Sequence, residues 1–185
     1  MWQRHIAECD ALARALHPDG RWLDLGTGGG LPGLVLAYRH PAVAWVLVDA
    51  TTKKAEAVRE FAAALGLANV TVIAGRAESL AHEPQHRGAY QGVVSRAVAQ
   101  LPVLVELCRG FVPDGGLVVA MKGPAWEAEV ARARGAMTQL GLELVHSRRL
   151  PLEDRDSWVV TMRANGAPPT GFPRRDGIPR QQPLA

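Results

Sequence analysis

The sequence predicts an α/β fold in which one mostly parallel sheet of seven strands carries helices on both faces. From about residue 21 onward, short apolar runs rich in β-branched residues alternate with helical stretches, a pattern typical of a parallel sheet with crossover helices. One run, Ala44-Trp45-Val46-Leu47-Val48, is wholly apolar, as expected of a strand buried on both faces. The length of 185 residues and the apolar fraction of 48% suit one compact core.

The elements follow one another along the chain with short connections. The strands are expected at residues 21–25, 43–49, 70–74, 92–95, 117–121, 142–146 and 158–162. The helices are expected at residues 4–16, 32–39, 52–65, 101–111 and 125–140, and Gly66 and Gly141 close two of them. The last two strands lie too close in sequence for a helical crossover, so they should form an antiparallel pair. The sheet is therefore mostly parallel and ends in one antiparallel strand.

Composition divides the chain into a domain over residues 1–164, with a helix in residues 1–20, and a tail over residues 165–185. The tail is rich in Gly, Pro and Arg, and we expect it to be extended. The whole net charge of +3 lies from Arg163 onward, because the preceding residues carry equal numbers of basic and acidic groups. Such a tail could reach an anionic surface, most commonly a phosphate backbone. A merely solubilising terminus explains the charge equally well.

Several classes of protein do not fit the sequence. No apolar run approaches the roughly 20 residues of a membrane helix, and the first residues are too polar for a signal peptide, so we expect a cytoplasmic protein. Cys9 and Cys108 are far apart and outside any C-x-x-C motif, which indicates two reduced thiols. His82 and His86 have a helical metal-ligand spacing but no acidic or cysteine partners, and we expect no metal.

A glycine-rich turn follows the first strand and opens a helix, as Asp24-Leu25-Gly26-Thr27-Gly28-Gly29-Gly30-Leu31-Pro32-Gly33. Glycines allow a tight turn and let backbone amides approach a ligand closely. Pro32 suits the first helical turn, where a missing N–H costs nothing. Asp49 ends the next strand, where a carboxylate can accept both ribose hydroxyls of an adenosine. The pattern predicts a nucleoside-containing cofactor.

Two cofactors fit this turn. Gly28, Gly30 and Gly33 formally match the dinucleotide motif G-x-G-x-x-G. Asp24 favours the other candidate, because a carboxylate at the strand end repels a pyrophosphate but suits S-adenosylmethionine, which carries an ammonium and a sulfonium. We therefore predict a Rossmann-like class I S-adenosylmethionine-dependent methyltransferase.

Around these residues the chain resembles the RsmG (GidB) family, the 16S ribosomal RNA guanine-N7 methyltransferases. The resemblance covers roughly residues 20–183. Beyond the glycine turn, the matching motifs are Leu47-Val48-Asp49-Ala50-Thr51-Thr52-Lys53-Lys54, Gly75-Arg76-Ala77-Glu78, Ser95-Arg96-Ala97, Met121-Lys122-Gly123 and Phe172-Pro173-Arg174-Arg175-Asp176-Gly177-Ile178-Pro179.

The resemblance implies a donor site at the carboxyl ends of the strands, where ligands bind in open α/β sheets. The donor contacts it implies are Gly26, Gly28, Leu31, Asp49, Ala50, Thr51, Ala77, Glu78 and Arg96. Arg96 and Lys122 follow strands four and five and are the candidate catalytic residues, with surface solvation as the alternative for both. The implied partner is 16S ribosomal RNA or the small ribosomal subunit, and we expect a monomer.

Guanine N7 has an in-plane lone pair, so methyl transfer to it needs no general base. Two other functions remain open: a methyltransferase of the same fold acting on a small molecule or protein, and a non-catalytic RNA-binding relative. Family members carry several tens of residues more before the glycine turn, and here only Arg4-His5-Ile6 corresponds to that helical region. If that region shapes the RNA site, the shortening affects RNA specificity and leaves donor binding intact.

Overall fold

The computed structural model describes residues 2–153 and 155–185. Its strands are β1 (Arg21–Leu25), β2 (Ala44–Asp49), β3 (Val70–Ala74), β4 (Gly92–Arg96), β5 (Leu117–Lys122), β6 (Leu142–Arg149) and β7 (Trp158–Ala164). Its helices are α1 (Trp2–Ala15), α2 (Gly33–Arg39), α3 (Thr52–Ala64), α4 (Ala77–Leu80), α5 (Leu101–Arg109), α6 (Trp126–Leu140) and α7 (Ile178–Gln181). The helices α4 and α7 were not predicted, because four residues are too short to show a helical period.

The strands form one sheet of order β3-β2-β1-β4-β5-β7-β6, which confirms the predicted α/β class and the seven strands. The first five strands pair in parallel, whereas β7 runs antiparallel to both β5 and β6. Thus β7 is the one antiparallel strand; it comes last in the chain but lies inside the sheet. The strand order reverses between β1 and β4, which creates the crevice where such sheets bind ligands.

β6 extends three residues beyond its predicted end, because its polar continuation pairs with β7 through contacts such as Arg148 opposite Val159. Most side chains of β6 are exposed, so polar residues are tolerated at this edge of the sheet.

Alternate strand residues pack into two cores, one on each face of the sheet. Leu23 and Val46 face the layer formed by α5 and α6. Trp22 and Trp45 face α1, α2 and α3, and their ring centroids lie 6.0 Å apart. None of the described helices is long and apolar enough to cross a membrane. Cys9 and Cys108 are buried, unpaired thiols.

The tail folds back onto the domain through two arginine side chains. Arg109 is fully buried and donates hydrogen bonds to backbone carbonyls of Leu140, Val112, Gly166 and Ala167. Burial lowers the pKa of this guanidinium, and the four carbonyl dipoles stabilise its charge in place of a carboxylate. Arg87 likewise donates to the carbonyls of Pro168, Pro169 and Phe172. The tail is thus fixed from residue 166 onward.

A buried ion pair anchors the middle of the tail. Glu106, in the centre of α5, is fully buried, and its Oε1 accepts hydrogen bonds from the backbone N–H and Nε of Arg174 at 2.9 and 2.8 Å. Its Oε2 accepts a third from Nη2 at 2.7 Å. The sequence left open whether the tail reaches an anionic surface or merely solubilises the chain, and the structure shows that Arg174 is instead held by a buried acid. The charge pattern of the tail could not predict this pair, because it depends on Glu106, an acid within the apolar helix α5. The division at residue 164 stays a prediction.

We expect Arg174→Met to lower the free energy of unfolding by about 3 kcal/mol, because it leaves the Glu106 carboxylate buried without its charged partner. Urea unfolding at neutral pH measures this loss. The matched control is Arg175→Met, which removes the neighbouring exposed arginine and should change the stability by less than about 0.5 kcal/mol. Equal stability of the two variants would contradict the anchoring role of Arg174.

Candidate functional site

A cavity of about 500 Å³ opens at the carboxyl ends of β1, β2, β3 and β4, at the point where the strand order reverses. Most residues expected to contact a donor line it, namely Gly26, Gly28, Leu31, Asp49, Ala50, Ala77, Glu78 and Arg96. Thr51 does not line the cavity; it lies at the N-cap of α3, and its amide donates to Asp49. We call this cavity the donor cleft.

The glycine turn forms one wall of the donor cleft and needs its glycines for both conformation and space. Gly26 has a φ of +73°, and a Cβ there would lie 2.3 Å from Val98 Cγ2. Gly33, at the start of α2, has an ordinary φ, but a Cβ there would lie 2.6 Å from Asp24 Oδ2. Side chains at these two positions would push the turn away from the strand ends.

Asp49 connects the glycine turn to the end of β2. Its Oδ2 accepts a hydrogen bond from the Gly28 amide and its Oδ1 accepts one from the Thr51 amide, both at 2.9 Å. The carboxylate is nearly buried, at 7% exposure, yet it borders the cleft. Each carboxylate oxygen can accept a second hydrogen bond, so both remain capable of accepting ribose hydroxyls.

Asp24 lies beneath the glycine turn rather than at the wall of the cleft. It is fully buried, and its Oδ2 accepts a hydrogen bond from the Gly33 amide at 2.8 Å. Oδ1 has no hydrogen-bond partner among the described residues. Burial raises the pKa of this carboxyl to about 6. The missing side chain of Gly33 lets the carboxylate turn inward, so Asp24 does not line the cleft.

Glu78 lies in the first turn of α4, directly after β3, and is 4% exposed. Its Oε1 accepts hydrogen bonds from Arg76 Nη2 and from the Gly177 amide, both at 3.0 Å. Burial alone would raise the pKa of this carboxyl, but the hydrogen bonds from the Gly177 amide and Arg76 hold it below its usual value. Glu78 therefore presents an ionised carboxylate of fixed orientation.

Arg96 ends β4 and is held by two residues of α1. Its Nη2 lies 3.1 Å from Glu8 Oε2 and 2.5 Å from His5 Nδ1. Glu8 is 5% exposed and also accepts hydrogen bonds from Ser157 Oγ at 2.5 Å and from Arg155 Nη1 at 3.2 Å. A surface-solvated role for Arg96 is therefore wrong.

The contribution of α1 to the site was missed in the sequence. The available signal was the spacing of His5 and Glu8, which places a histidine and an acid on the same face of one helix.

Lys122 lies outside the donor cleft. Its Nζ donates hydrogen bonds to Ala99 O and Glu129 Oε2, both at 2.8 Å, and the side chain is 8% exposed. Glu129 Oε2 also accepts from the Leu101 amide at 2.9 Å. Surface solvation is wrong for Lys122 too. The prediction that Lys122 faces the donor crevice is also wrong, because its side chain is absent from the lining of the donor cleft. It ties the loop after β4 to α6.

A second cavity of about 540 Å³ lies beside the donor cleft and contains Lys122 in its lining. The two cavities share Arg96, Ala97 and Val98 as a common wall. Ala97 has a φ of +56°, the one positive value among the described residues other than glycine. Such backbone is found where a site requires a particular direction of the chain. We call the cavity of about 540 Å³ the second cavity.

No cluster of three or more His, Cys, Asp or Glu side chains suited to a metal ion occurs in residues 2–153 and 155–185. The two histidines with helical spacing, His82 and His86, each form a hydrogen bond within the chain instead. His82 Nε2 lies 2.7 Å from Pro173 O, and His86 Nδ1 lies 2.6 Å from the Tyr90 hydroxyl.

Solved structures share this fold at low sequence identity. A putative methyltransferase from Bacillus halodurans superposes with a TM-score of 0.63 at 17% identity, over 88% of this chain and 99% of the other. An rRNA methylase from Streptococcus thermophilus superposes with a TM-score of 0.59 at 16% identity, over 85% of this chain and 94% of the other. These similarities confirm the class I methyltransferase architecture.

Sequence comparison identifies the family. Residues 1–157 match the family model GidB, described as rRNA small subunit methyltransferase G. The chain is 41% identical to ribosomal RNA small subunit methyltransferase G of Deinococcus radiodurans, over 98% of this chain and 73% of the relative. It is 46% identical to the protein of the same name from Deinococcus deserti, over 91% of this chain and 70% of the relative. The chain therefore belongs to the rRNA small subunit methyltransferase G family.

Proposed function

We propose that this protein transfers a methyl group from S-adenosylmethionine to N7 of a guanine in 16S ribosomal RNA. The observation that carries the proposal is the donor cleft, in which Asp49 and Glu78 lie on the same side of the strand-order reversal as the glycine turn, and Arg96 lies on the other side. Relatives at 41% and 46% identity bear the name ribosomal RNA small subunit methyltransferase G, which supports RNA as the acceptor. The guanine N7 target follows from the resemblance of the motifs.

The residues of the donor cleft fit S-adenosylmethionine better than a dinucleotide. Asp24, buried beneath the turn with Oδ1 unpartnered among the described residues, adds a group that becomes anionic above about pH 6. Together with Asp49 it disfavours a pyrophosphate and favours a cationic ligand. S-adenosylmethionine supplies a methyl group that its sulfonium activates for transfer to a lone pair.

The cleft residues would bind and orient the donor by distinct contacts. The Asp49 carboxylate, oriented by the Gly28 and Thr51 amides, would accept the ribose hydroxyls. Glu78 would accept a hydrogen bond from the exocyclic amine of adenine. Gly26 and Gly28 would let the backbone approach the amino-acid end of the donor. The remaining proposed contacts are the apolar walls formed by Leu31, Ala50 and Ala77. Thr51 would act through its amide, which orients the Asp49 carboxylate.

The acceptor base would enter the second cavity, which shares the wall of Arg96, Ala97 and Val98 with the donor cleft. Guanine N7 needs no proton removed, so the protein would act by aligning the reactants and excluding water. Arg96, with its charge partly balanced by Glu8, would hold an RNA phosphate or the donor carboxylate. Lys122 would act by holding the loop after β4 in place through Ala99.

The proposal predicts methylation of RNA by the purified protein. With isotope-labelled S-adenosylmethionine and either 30S subunits or naked 16S RNA, we expect about one methyl group per RNA, recovered as 7-methylguanosine after digestion. Label in a small molecule or protein instead would favour a different methyltransferase. Donor and RNA binding without transfer would indicate a non-catalytic relative.

The cofactor assignment predicts one-to-one binding of S-adenosylmethionine in calorimetry and weaker binding of NAD. Asp49→Ala should weaken donor binding by about 1–3 kcal/mol, because hydroxyls and two backbone amides lose a charged acceptor. The control Glu56→Ala removes an exposed carboxylate from α3 and should leave the affinity unchanged. Tighter binding of NAD than of the methyl donor would overturn the assignment.

The raised pKa of the Asp24 carboxyl predicts that the stability of the fold depends on pH. Its pKa is about 6 in the folded protein, against an ordinary value of 3.8, so between these values the folded state binds more protons than the unfolded chain. The free energy of unfolding should therefore fall as pH rises through this window, by up to about 3 kcal/mol. Asp24→Asn keeps an acceptor for the Gly33 amide but cannot titrate, so this part of the fall should be absent. Parallel curves for both proteins in urea unfolding from about pH 4 to about pH 7 would contradict the assignment.

A further inference from the structure

We propose that residues 176–180 of the tail are part of the donor site and position the carboxylate of Glu78. The proposal rests on the proposed function, in that the ligand of the cleft is taken to be an adenosyl donor. The tail would act through Gly177, Asp176 and Arg180, which contact residues on two walls of the donor cleft.

The first contact is made by the backbone of Gly177. Its N–H donates to Glu78 Oε1 at 3.0 Å. Gly177 has a φ of +82° at the start of α7, a conformation that glycine adopts without strain. The turn therefore directs a backbone donor at a carboxylate that is 4% exposed. Such a charge-assisted hydrogen bond restricts the rotation of the acceptor.

The second contact is made by Asp176. Its Oδ2 lies 3.1 Å from Arg76 Nε, and its Oδ1 accepts a hydrogen bond from Ser79 Oγ at 3.0 Å. Arg76 in turn donates through Nη2 to Glu78 Oε1. The tail thus reaches Glu78 both directly and through the side chain of Arg76, two residues before it in sequence. Both hydrogen bonds fall on the same oxygen, which fixes the orientation of the carboxylate.

The tail is anchored on both sides of Asp176 and Gly177. Upstream, Arg174 forms the buried ion pair with Glu106. Downstream, Arg180 Nη2 donates to Val98 O at 3.1 Å, and both residues line the donor cleft. The tail therefore spans from the wall after β3 to the wall after β4. A segment needed only for packing would not require contacts to both walls of one cavity.

An oriented, ionised Glu78 has a chemical consequence for ligand selection. Its carboxylate can accept a hydrogen bond from the exocyclic amine of adenine, but it repels the carbonyl oxygen that hypoxanthine carries at the same position. Selection between the two bases depends on where the carboxylate points. Losing the tail contacts should therefore weaken this selection as well as the affinity.

The test compares the full chain with a chain ending at Arg175, which keeps the ion pair of Arg174 with Glu106. Calorimetry measures the dissociation constants of S-adenosylhomocysteine and S-inosylhomocysteine well below the melting temperature of each protein. We expect the shortened chain to bind the adenosyl ligand about tenfold more weakly and the inosyl ligand nearly as the full chain does. Arg175→Ala, which removes an exposed side chain of the same segment, should change neither constant.

Point variants decide the question if the shortened chain does not fold. Asp176→Asn should weaken adenosyl binding by about two- to fivefold and reduce the preference over the inosyl ligand, and Glu78→Gln should abolish that preference. Failure of the full chain to bind S-adenosylhomocysteine would refute the proposed function itself. If the full chain binds it, an unchanged preference in the variants, or an equal loss of both ligands with a lower melting temperature, would overturn the role of the tail.

Discussion

Two carboxylates at strand ends hold the glycine turn, and the donor cleft depends on that arrangement. Asp24 of β1 accepts a hydrogen bond from the Gly33 amide, and Asp49 of β2 accepts one from the Gly28 amide. The turn is therefore fixed at both ends to adjacent parallel strands. Because backbone amides rather than side chains make these contacts, the turn stays close to the sheet and leaves a cavity above it. Glu78, in α4 after β3, and Arg96, at the end of β4, then face that cavity.

The remaining walls of the donor cleft come from α1 and from the tail, and ion pairs of buried acids hold both segments in place. Glu8 of α1 brings Arg96 and Arg155 together, whereas Glu106 of α5 holds Arg174 of the tail. A carboxylate removed from water is costly unless it is paired and hydrogen-bonded. Each of these acids therefore restricts where its arginine partner can lie. The pairs fix the positions of α1 and the tail beside the same cleft, which His5 and Arg180 line.

The sequence predicted the sheet and the strands that end at or shortly before Asp49, Glu78 and Arg96, because apolar runs and a glycine turn are local signals. The position of Lys122 relative to the cleft was not predictable, since it depends on Glu129, which lies one turn into α6. The contacts of Glu8 and Gly177 join segments far apart in sequence. No local pattern encodes such pairs, so they emerge only when the folded chain brings the segments together.

The electrostatic role of the tail changes once its contacts are known. The net charge of +3 lies from Arg163 onward, yet Arg174 is neutralised by a buried acid and Arg180 donates to Val98 O. Only exposed charges release counterions when they meet phosphate, and Arg175 is the tail arginine for which the described residues provide no partner. Arg175 and Arg180, both exposed, are therefore the tail arginines whose charge remains available to an anionic surface. Arg174 and Arg180 stabilise the position of the tail against the donor cleft, where its contact with Glu78 is made.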